Sequence, residues 1–471
     1  MKKYLALVLG VIFTLGFAVS AFAIHAEIPA ETQAVVAKGA TQIKLGGELR
    51  FRGYYKHATD LNQSTILENA DDSNSAYDGR VRLRIQADVS KNTQGVIHLE
   101  AGNGQTKDSY TWGDGGSESA GVYPVGNGKR GDMTILEAWI LHKFNIGVPA
   151  GIKVGHMPLK LGNGIFFNHS KFGDDAIVLF FDPTKELHIG LLDIKVNEGA
   201  SSGLADDTDA YVALFAYKSK GFNVSGDITH LVDQNFTFGT LARGTAAGDK
   251  CLAFTNYGLR ADTKVGPIGL KADVEMQSGK AKSNDTGVTD IDFKGYAYLL
   301  GANYKAGDFT LNLEYAVGSG DGDASDDKVG TFVTAVGGSQ KFTYVYDYLT
   351  KTAGVTDPSS GASTLGDNNT GIANTTYIKL GAAGNITKDL NLIANYYILR
   401  ATKPVSTNSA YNSKKIGSEL DAKITYKLDK NLIYFVEGGY LFAGDFFKNI
   451  TVSAKDPDDA YSVRNGLALS F

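Results

Sequence analysis

The sequence places arginine at every second position of two segments near its N-terminus. Arg50 and Arg52 lie in the first segment, and Arg80, Arg82 and Arg84 lie in the second. Side chains at every second position of a β-strand point to the same face, so each segment is predicted to present a row of guanidinium groups. Such a row can pair with carboxylates, or it can attract and orient anionic solutes. The sequence alone leaves both interpretations open.

Carboxylates occupy comparable positions in neighbouring segments and near the C-terminus. They are predicted to lie across a narrow space from the arginines, so that opposite charges face each other. This lining is predicted to contain six arginines and six carboxylates: Arg50, Arg52, Arg80, Arg82, Arg84, Arg464, Glu48, Glu100, Glu137, Glu419, Asp421 and Glu437.

The positions between these charges are apolar. In the first segment Leu49, Phe51 and Tyr55 alternate with Arg50 and Arg52. A strand with one apolar and one charged face fits a sheet whose apolar side contacts lipid and whose charged side lines water. We therefore predict an all-β fold, a transmembrane antiparallel β-barrel with the charged faces inside.

Counting alternating segments bounded by turn residues predicts eighteen strands, with sixteen as the alternative, and an even number is what single-chain bacterial barrels have. Short connections, predicted to be periplasmic, alternate with longer ones, predicted to be extracellular. The short turns are 90–94, 145–151, 182–186, 218–221, 265–267, 305–308, 387–389 and 428–431. The notable long loops are 103–131, 159–174, 232–250 and 320–371, and the last is expected to fold as a hairpin over or into the mouth of the barrel.

Both ends of the sequence indicate export to an outer membrane. Residues 1–23 have two lysines, an apolar stretch and a small-residue cleavage site, which predicts a signal peptide. Residues 24–41 are expected to form a periplasmic stub, either a short helix or an unstructured segment, and residues 42–471 the barrel. An alternating last strand that ends in Phe471 is typical of Gram-negative outer-membrane barrels.

Composition argues against several functional classes. The formal net charge is −5, whereas nucleic-acid binding needs a basic surface. No histidine or cysteine motif for a metal or haem and no nucleophile elbow is present, so we expect no catalytic, cofactor or metal site and no enzyme. The single cysteine, Cys251, is assigned no function. The expected partners are outer-membrane lipid and lipopolysaccharide, and the expected state is a monomer.

Several segments resemble the alginate-export family of outer-membrane porins. They are Gly46–Gly53, Gly79–Arg84, Glu137–Trp139, Lys153–Gly162, Ile416–Asp421 through Tyr426, and Gly444–Asp445. The resemblance covers both ends of the chain and implies a monomeric eighteen-stranded barrel. It also implies polar or anionic cargo such as saccharides.

We expect a porin, a passive diffusion channel for small hydrophilic and mainly anionic solutes. Two alternatives remain open at the level of the sequence. One is an export conduit for an acidic polysaccharide, although the inward face carries about as many acids as bases and a polyanion exporter should be basic inside. The other is a barrel that forms a sheath around a partner such as a multihaem cytochrome.

Overall fold

The computed structural model describes most of the barrel and parts of its loops. The described residues are 34–37, 41–58, 73–102, 110–111, 132–199, 207–236, 250–283, 289–322, 326–334, 341–347, 371–404, 413–449 and 457–471. The predicted signal peptide, 1–23, lies outside them, as does most of the predicted stub, 24–41.

Eighteen long strands form the wall of the barrel. They are β1 Gln42–His57, β2 Ser73–Asp88, β3 Thr93–Gly102, β4 Asp132–Lys143, β5 Ala150–Lys160, β6 Asn168–Phe181, β7 Leu187–Asn197, β8 Thr208–Ser219, β9 Phe222–Phe236, β10 Lys250–Val265, β11 Ile268–Ser283, β12 Tyr296–Ala306, β13 Phe309–Gly318, β14 Thr375–Asn385, β15 Leu390–Ala401, β16 Lys415–Asp429, β17 Leu432–Ala443 and β18 Ala460–Ser470. Short strands Ala34–Ala37, Tyr110–Thr111, Ile291–Phe293 and Lys328–Val329 and a 3₁₀ helix, Asp445–Asn449, accompany them.

The sheet closes on itself. Each long strand pairs antiparallel with the next, and β18 pairs with β1, with Arg464 opposite Tyr54. The prediction of eighteen strands is confirmed, and the eight turns predicted to be short each join two consecutive strands. Closure leaves no unpaired edge, so every backbone N–H and C=O of the wall can be bonded within a membrane.

The outer surface is apolar along the strands. Leu313 on β13 is 51% exposed, whereas its neighbour Glu314 points inward and is 7% exposed. The same alternation places Leu191, Leu259 and Met276 on the outside of the wall. An outward apolar band is what a barrel needs to contact lipid. Among the described residues, no helix has the length and apolarity needed to cross a membrane.

The C-terminus is fixed to the first strand. The Gly47 N–H donates to the Phe471 carbonyl at 2.7 Å, and the Phe471 N–H donates to the Gly47 carbonyl at 3.1 Å. Beyond this point Ala34–Ala37 pairs with β1 as a short strand. The expectation of a helix or an unstructured stub is therefore wrong for these four residues, because β1 extends past the end of β18 and offers them backbone partners.

The interior is not ionic on all sides. On β6, β7 and β8 the inward side chains include Val178, Leu192 and Val212, which are buried. Most of the outward neighbours of these residues are apolar as well, so the three strands are largely apolar on both faces. Loop segments 161–167, 329–334 and 341–347 fold into the barrel, and Phe166 and Phe332 belong to the same buried apolar cluster as these inward side chains. The Phe166 ring lies 6.2 Å from the Phe254 ring of β10. The barrel is thus packed on one side and open on the other.

The segment between β5 and β6 corrects one sequence prediction. Residues 159–174 are predicted as an extracellular loop, but β5 continues to Lys160 and β6 begins at Asn168. Leu161, Ile165 and Phe166 in the remaining turn are each no more than 5% exposed. Their burial inside the barrel removes apolar surface from water, which an extracellular position would not do.

Candidate functional site: a cation-lined cavity

A cavity of about 430 Å³ lies on the open side of the barrel. Its wall is formed by β1, β15, β16, β17 and β18, and residues 341–344 together with Lys171 of β6 complete it. Six cationic side chains line the cavity, against two carboxylates: Arg50, Arg52, Arg464, Lys423, Lys171 and Lys341, with Asp421 and Glu437. The excess of cations gives the cavity a positive field.

Strand closure brings the cations of the wall together. Arg50 and Arg52 alternate on the inward face of β1, and Arg464 lies on the inward face of β18. Arg464 pairs with Glu437 of β17, and its guanidinium lies 4.8 Å from the centre of the Tyr344 ring. Glu437 also accepts from Lys423 at 3.0 Å, so this carboxylate is shared between two cations.

Several inward arginines of β1 and β2 bind carboxylates of neighbouring strands. Arg80 pairs with Glu48, and Arg82 lies 2.5 Å from Glu100. Arg52, at the edge of the cavity, forms a two-point pair with Asp78 at 2.8 and 2.6 Å. Planar, two-point pairs of this kind hold the guanidinium in one orientation.

Glu137 forms the centre of a buried network on β2, β3 and β4. It accepts from the Trp139 indole at 2.8 Å and bonds His98 at 3.0 Å, and the Arg84 guanidinium lies 3.5 Å away. The Lys153 ammonium of β5 lies 3.9 Å from the centre of the Trp139 ring. Glu100 and Glu137 are 1% and 2% exposed, so these carboxylates neutralise the wall rather than contact a solute.

Glu419 and Asp421 lie on the inward face of β16, as the alternation predicts, but only Asp421 lines the cavity. Both point inward from β16, but the segment 341–347 lies over them. The backbone N–H groups of Val345 and Tyr346 donate to the two oxygens of Glu419. Glu419 is fully buried, and Asp421 is 9% exposed at the edge of the cavity.

The segment 341–347 carries cavity-lining groups inward from the long connection between β13 and β14. Lys341 and Tyr344 reach the cavity, while Phe342 stacks on the Tyr377 ring of β14 with 4.6 Å between ring centres. The described parts of this connection, 326–334 and 341–347, form no hairpin of the kind predicted from their alternating residues. Lys328–Val329 instead pairs parallel with Asp292–Phe293, and the described residues that follow, 330–334 and 341–347, form no strand.

The opposite wall holds the other inward segment. Asn163 donates to one oxygen of Asp273 on β11 through its backbone N–H at 3.3 Å and its side chain at 2.8 Å. Arg260 of β10 binds Asp273, Asp227 and Glu275. Gly162 has a φ of +52° and lies against the Arg260 side chain, where a Cβ would not fit. This anchor fixes 161–167 across the interior.

Three cations of the cavity are absent from the sequence-predicted lining, namely Lys171, Lys341 and Lys423. Lys423 is on the inward face of β16, two residues beyond Asp421, and the alternation would have included it. Lys171 and Lys341 fall within segments that the sequence predicts as loops, 159–174 and 320–371, where period-two alternation carries no information. Among the described residues, no group of three or more histidine, cysteine, aspartate and glutamate side chains is placed to hold a metal ion.

Comparison with solved structures identifies similar barrels. OccK9 (OpdG) of Pseudomonas aeruginosa is 12% identical with a TM-score of 0.51, over 91% of this chain and 98% of that chain. OpdO of Pseudomonas aeruginosa is 12% identical with a TM-score of 0.51, over 91% and 97%. The outer membrane protein opdK from Pseudomonas aeruginosa is 9% identical with a TM-score of 0.50, over 91% and 98%.

At these identities the likeness establishes the barrel fold, and function has to be argued from the site. The chain matches no family model and no curated protein sequence. The resemblance to the alginate-export family is therefore not confirmed.

Proposed function

We propose that the protein is an outer-membrane porin that allows small hydrophilic solutes to diffuse passively and that prefers anions. The observation that carries this proposal is the cavity in which six cationic side chains face two carboxylates. Arg464 and Lys423 share Glu437 and compensate its charge, whereas Asp421 accepts the Tyr344 N–H. The cations of the cavity therefore outnumber its carboxylates after this pairing.

The surroundings of the cavity strengthen its field. The apolar outer band and the packed side of the barrel have a low dielectric constant, and charges that line water between such walls act over a longer range. Rings of basic side chains are a known means of selecting anions in pores. A cavity of about 430 Å³ suits a small solute better than a folded partner.

The packed interior weighs against the sheath alternative. A barrel that surrounds a protein partner needs an empty bore, whereas segments 161–167 and 329–334 contribute side chains to a buried apolar cluster inside the barrel. The export alternative requires a continuous basic tunnel, but Arg80 and Arg82 are bound to Glu48 and Glu100. Both observations support a channel for small solutes.

Liposome swelling tests the proposal. Purified protein is reconstituted into vesicles, and the entry of gluconate, glucose and glucosamine is compared, because these solutes are similar in size and differ in charge. We expect gluconate to enter fastest and glucosamine slowest, with no swelling of protein-free vesicles. Equal rates would remove the anion preference, and no swelling with any solute would remove the porin function.

A further inference from the structure

We propose that Glu419 is a positioning residue that holds segment 341–347 against the wall and thereby sets the width and the charge of the cavity. The inference deepens the proposed function and rests on it. Glu419 itself does not line the cavity, since its side chain is fully buried beneath the segment. Its effect on a solute would be exerted through the residues that the segment carries.

The contact between Glu419 and the segment uses both carboxylate oxygens. Oε1 accepts the Val345 N–H at 2.5 Å, and Oε2 accepts the Tyr346 N–H at 2.8 Å. The next inward residue of β16, Asp421, accepts the Tyr344 N–H at 3.1 Å. Three consecutive backbone N–H groups are thus bound by two side chains of one strand. Removal of an acceptor from a buried amide leaves that N–H without a partner, which costs free energy.

The wall beside β16 is shaped to receive the segment. Gly439 of β17 lies opposite Asp421, and a Cβ at this glycine would lie 2.4 Å from Asp421 Oδ1, 3.0 Å from Val345 Cγ2 and 3.1 Å from Tyr344 Cβ. A side chain at position 439 would therefore push the segment away. A side chain at this position removes no acceptor of the segment, so it offers a second, steric way to displace the segment.

The other contacts hold the two ends of the segment. The Tyr397 hydroxyl donates to the Phe342 carbonyl at 2.6 Å, and the Tyr346 hydroxyl lies 2.8 Å from the Thr375 hydroxyl. Asp347 accepts the Phe342 N–H at 3.2 Å and closes the segment on itself. Glu419 binds between these ends, at the point where Tyr344 turns toward the cavity.

If Glu419 no longer held segment 341–347, the cavity would change in two ways. Lys341 and Tyr344 would no longer be held at its edge, so the passage would widen and lose one fixed cation. The Tyr344 ring would also leave Arg464, on whose guanidinium it packs. A wider and less cationic passage should conduct more ions and discriminate less between anions and cations.

The test compares Glu419→Ala, which removes both acceptors, with Glu419→Gln, which keeps one. In planar bilayers we expect the single-channel conductance of Glu419→Ala to rise about two-fold, with a smaller anion preference and more current noise. Glu419→Gln should lie between Glu419→Ala and the unchanged protein. Gly439→Val should reproduce the Glu419→Ala effect without altering a charge.

Asp262→Asn serves as the control, because Asp262 is an inward carboxylate that bonds Asn223 and lies on β10, away from the segment. Folding of each variant is checked by the difference in electrophoretic mobility between unheated and heated samples. An unchanged conductance and selectivity in folded Glu419→Ala and Gly439→Val would overturn the positioning role.

A nitroxide label at position 341 follows the segment itself. Its mobility should increase in Glu419→Ala and Gly439→Val and stay unchanged in Asp262→Asn. If the unchanged protein conducts no ions, the porin function fails, while the label still reports whether Glu419 holds the segment. An equally immobile label in all variants would contradict the positioning role whatever the currents show.

Discussion

Many charged residues of the interior bind each other, and some of these pairs, such as Arg464 and Glu437, also line the cavity. Arg80, Arg82 and Arg84 each lie against a carboxylate of the wall, so their charge is largely compensated. Lys341 lies at the cavity and is exposed there. Solute selection is therefore expected to depend more on cations of the cavity, such as Lys341, than on the longest run of arginines in the sequence.

Replacing Lys341 by glutamate should reduce the anion preference. The change substitutes a negative for a positive charge at the cavity, and we expect the anion-to-cation permeability ratio to fall by about three-fold or more. The ratio is obtained from reversal potentials in a salt gradient. Lys220→Glu is the matched control, since it makes the same charge change in the exposed turn between β8 and β9. Equal shifts in both variants would show that net charge, and not the cavity, sets selectivity.

The sequence predicts which residues face inward better than it predicts what they contact. Alternation places Glu419 on the same face as Arg50, and the register agrees. Whether such a residue contacts water or a folded loop depends on contacts between distant parts of the chain. The distance along the chain between Glu419 and Val345 leaves no local signal of their hydrogen bond.

At the level of elements, two loop segments convert a wide barrel into a restricted passage. Segment 161–167 is attached to β10 and β11, and segment 341–347 is attached to β14, β15 and β16. Apolar residues within a segment predicted to be an extracellular loop, such as Phe166 and Phe167, are the sequence signal that this segment is buried. Strands with two apolar faces, such as β8, are the matching signal on the wall.

Asn163→Asp should weaken the attachment of segment 161–167. The new carboxylate would lose the amide donor and repel Asp273, whose side chain is fully buried. We expect the free energy of unfolding to fall by about 1–3 kcal/mol, the range for disturbing a buried hydrogen bond. Urea unfolding in lipid vesicles measures this quantity. No change relative to the unchanged protein would mean that the contact with Asp273 does not hold the segment.

Gly47→Val should impair closure of the barrel. A Cβ at position 47 would lie 2.5 Å from the ring of Phe471 and 2.8 Å from the Arg82 carbonyl, so the terminal residue could not dock on β1. We expect less folded barrel, seen as loss of the faster-migrating species in unheated gel samples. Gly95→Val is the control, because a Cβ there would meet only the Trp139 carbonyl, at 3.8 Å. Normal folding of Gly47→Val would contradict this account of closure.

For the whole molecule, the number of strands, their closure and the two faces of most strands could be predicted from the sequence. Period-two alternation indicates which face of a strand contacts lipid. A lipid-facing residue such as Leu313 can therefore be predicted without knowing the contacts between distant parts of the chain. The packed side of the interior could not be predicted in this way. There Val178 and Leu192 face inward and are buried in one apolar cluster with loop residues such as Phe332.

Leu313→Arg tests the orientation of the wall. Leu313 is 51% exposed on the outer surface, and an arginine there would enter lipid. We expect a loss of about 2–4 kcal/mol in the free energy of unfolding, measured by urea unfolding in vesicles. Asn312→Arg, on the inward face of the same strand, is the control and should cost much less. Equal costs at the two positions would contradict an apolar outside and a hydrated inside.

The reversal potential of the unchanged protein in a planar bilayer with a potassium chloride gradient tests the central claim most directly. A cavity lined by six cations against two carboxylates predicts a potential of the sign set by chloride. Salt screens fixed charges, so the preference should weaken as the concentration on both sides is raised. A potential of the sign set by potassium, or the absence of any current through folded protein, would contradict the account.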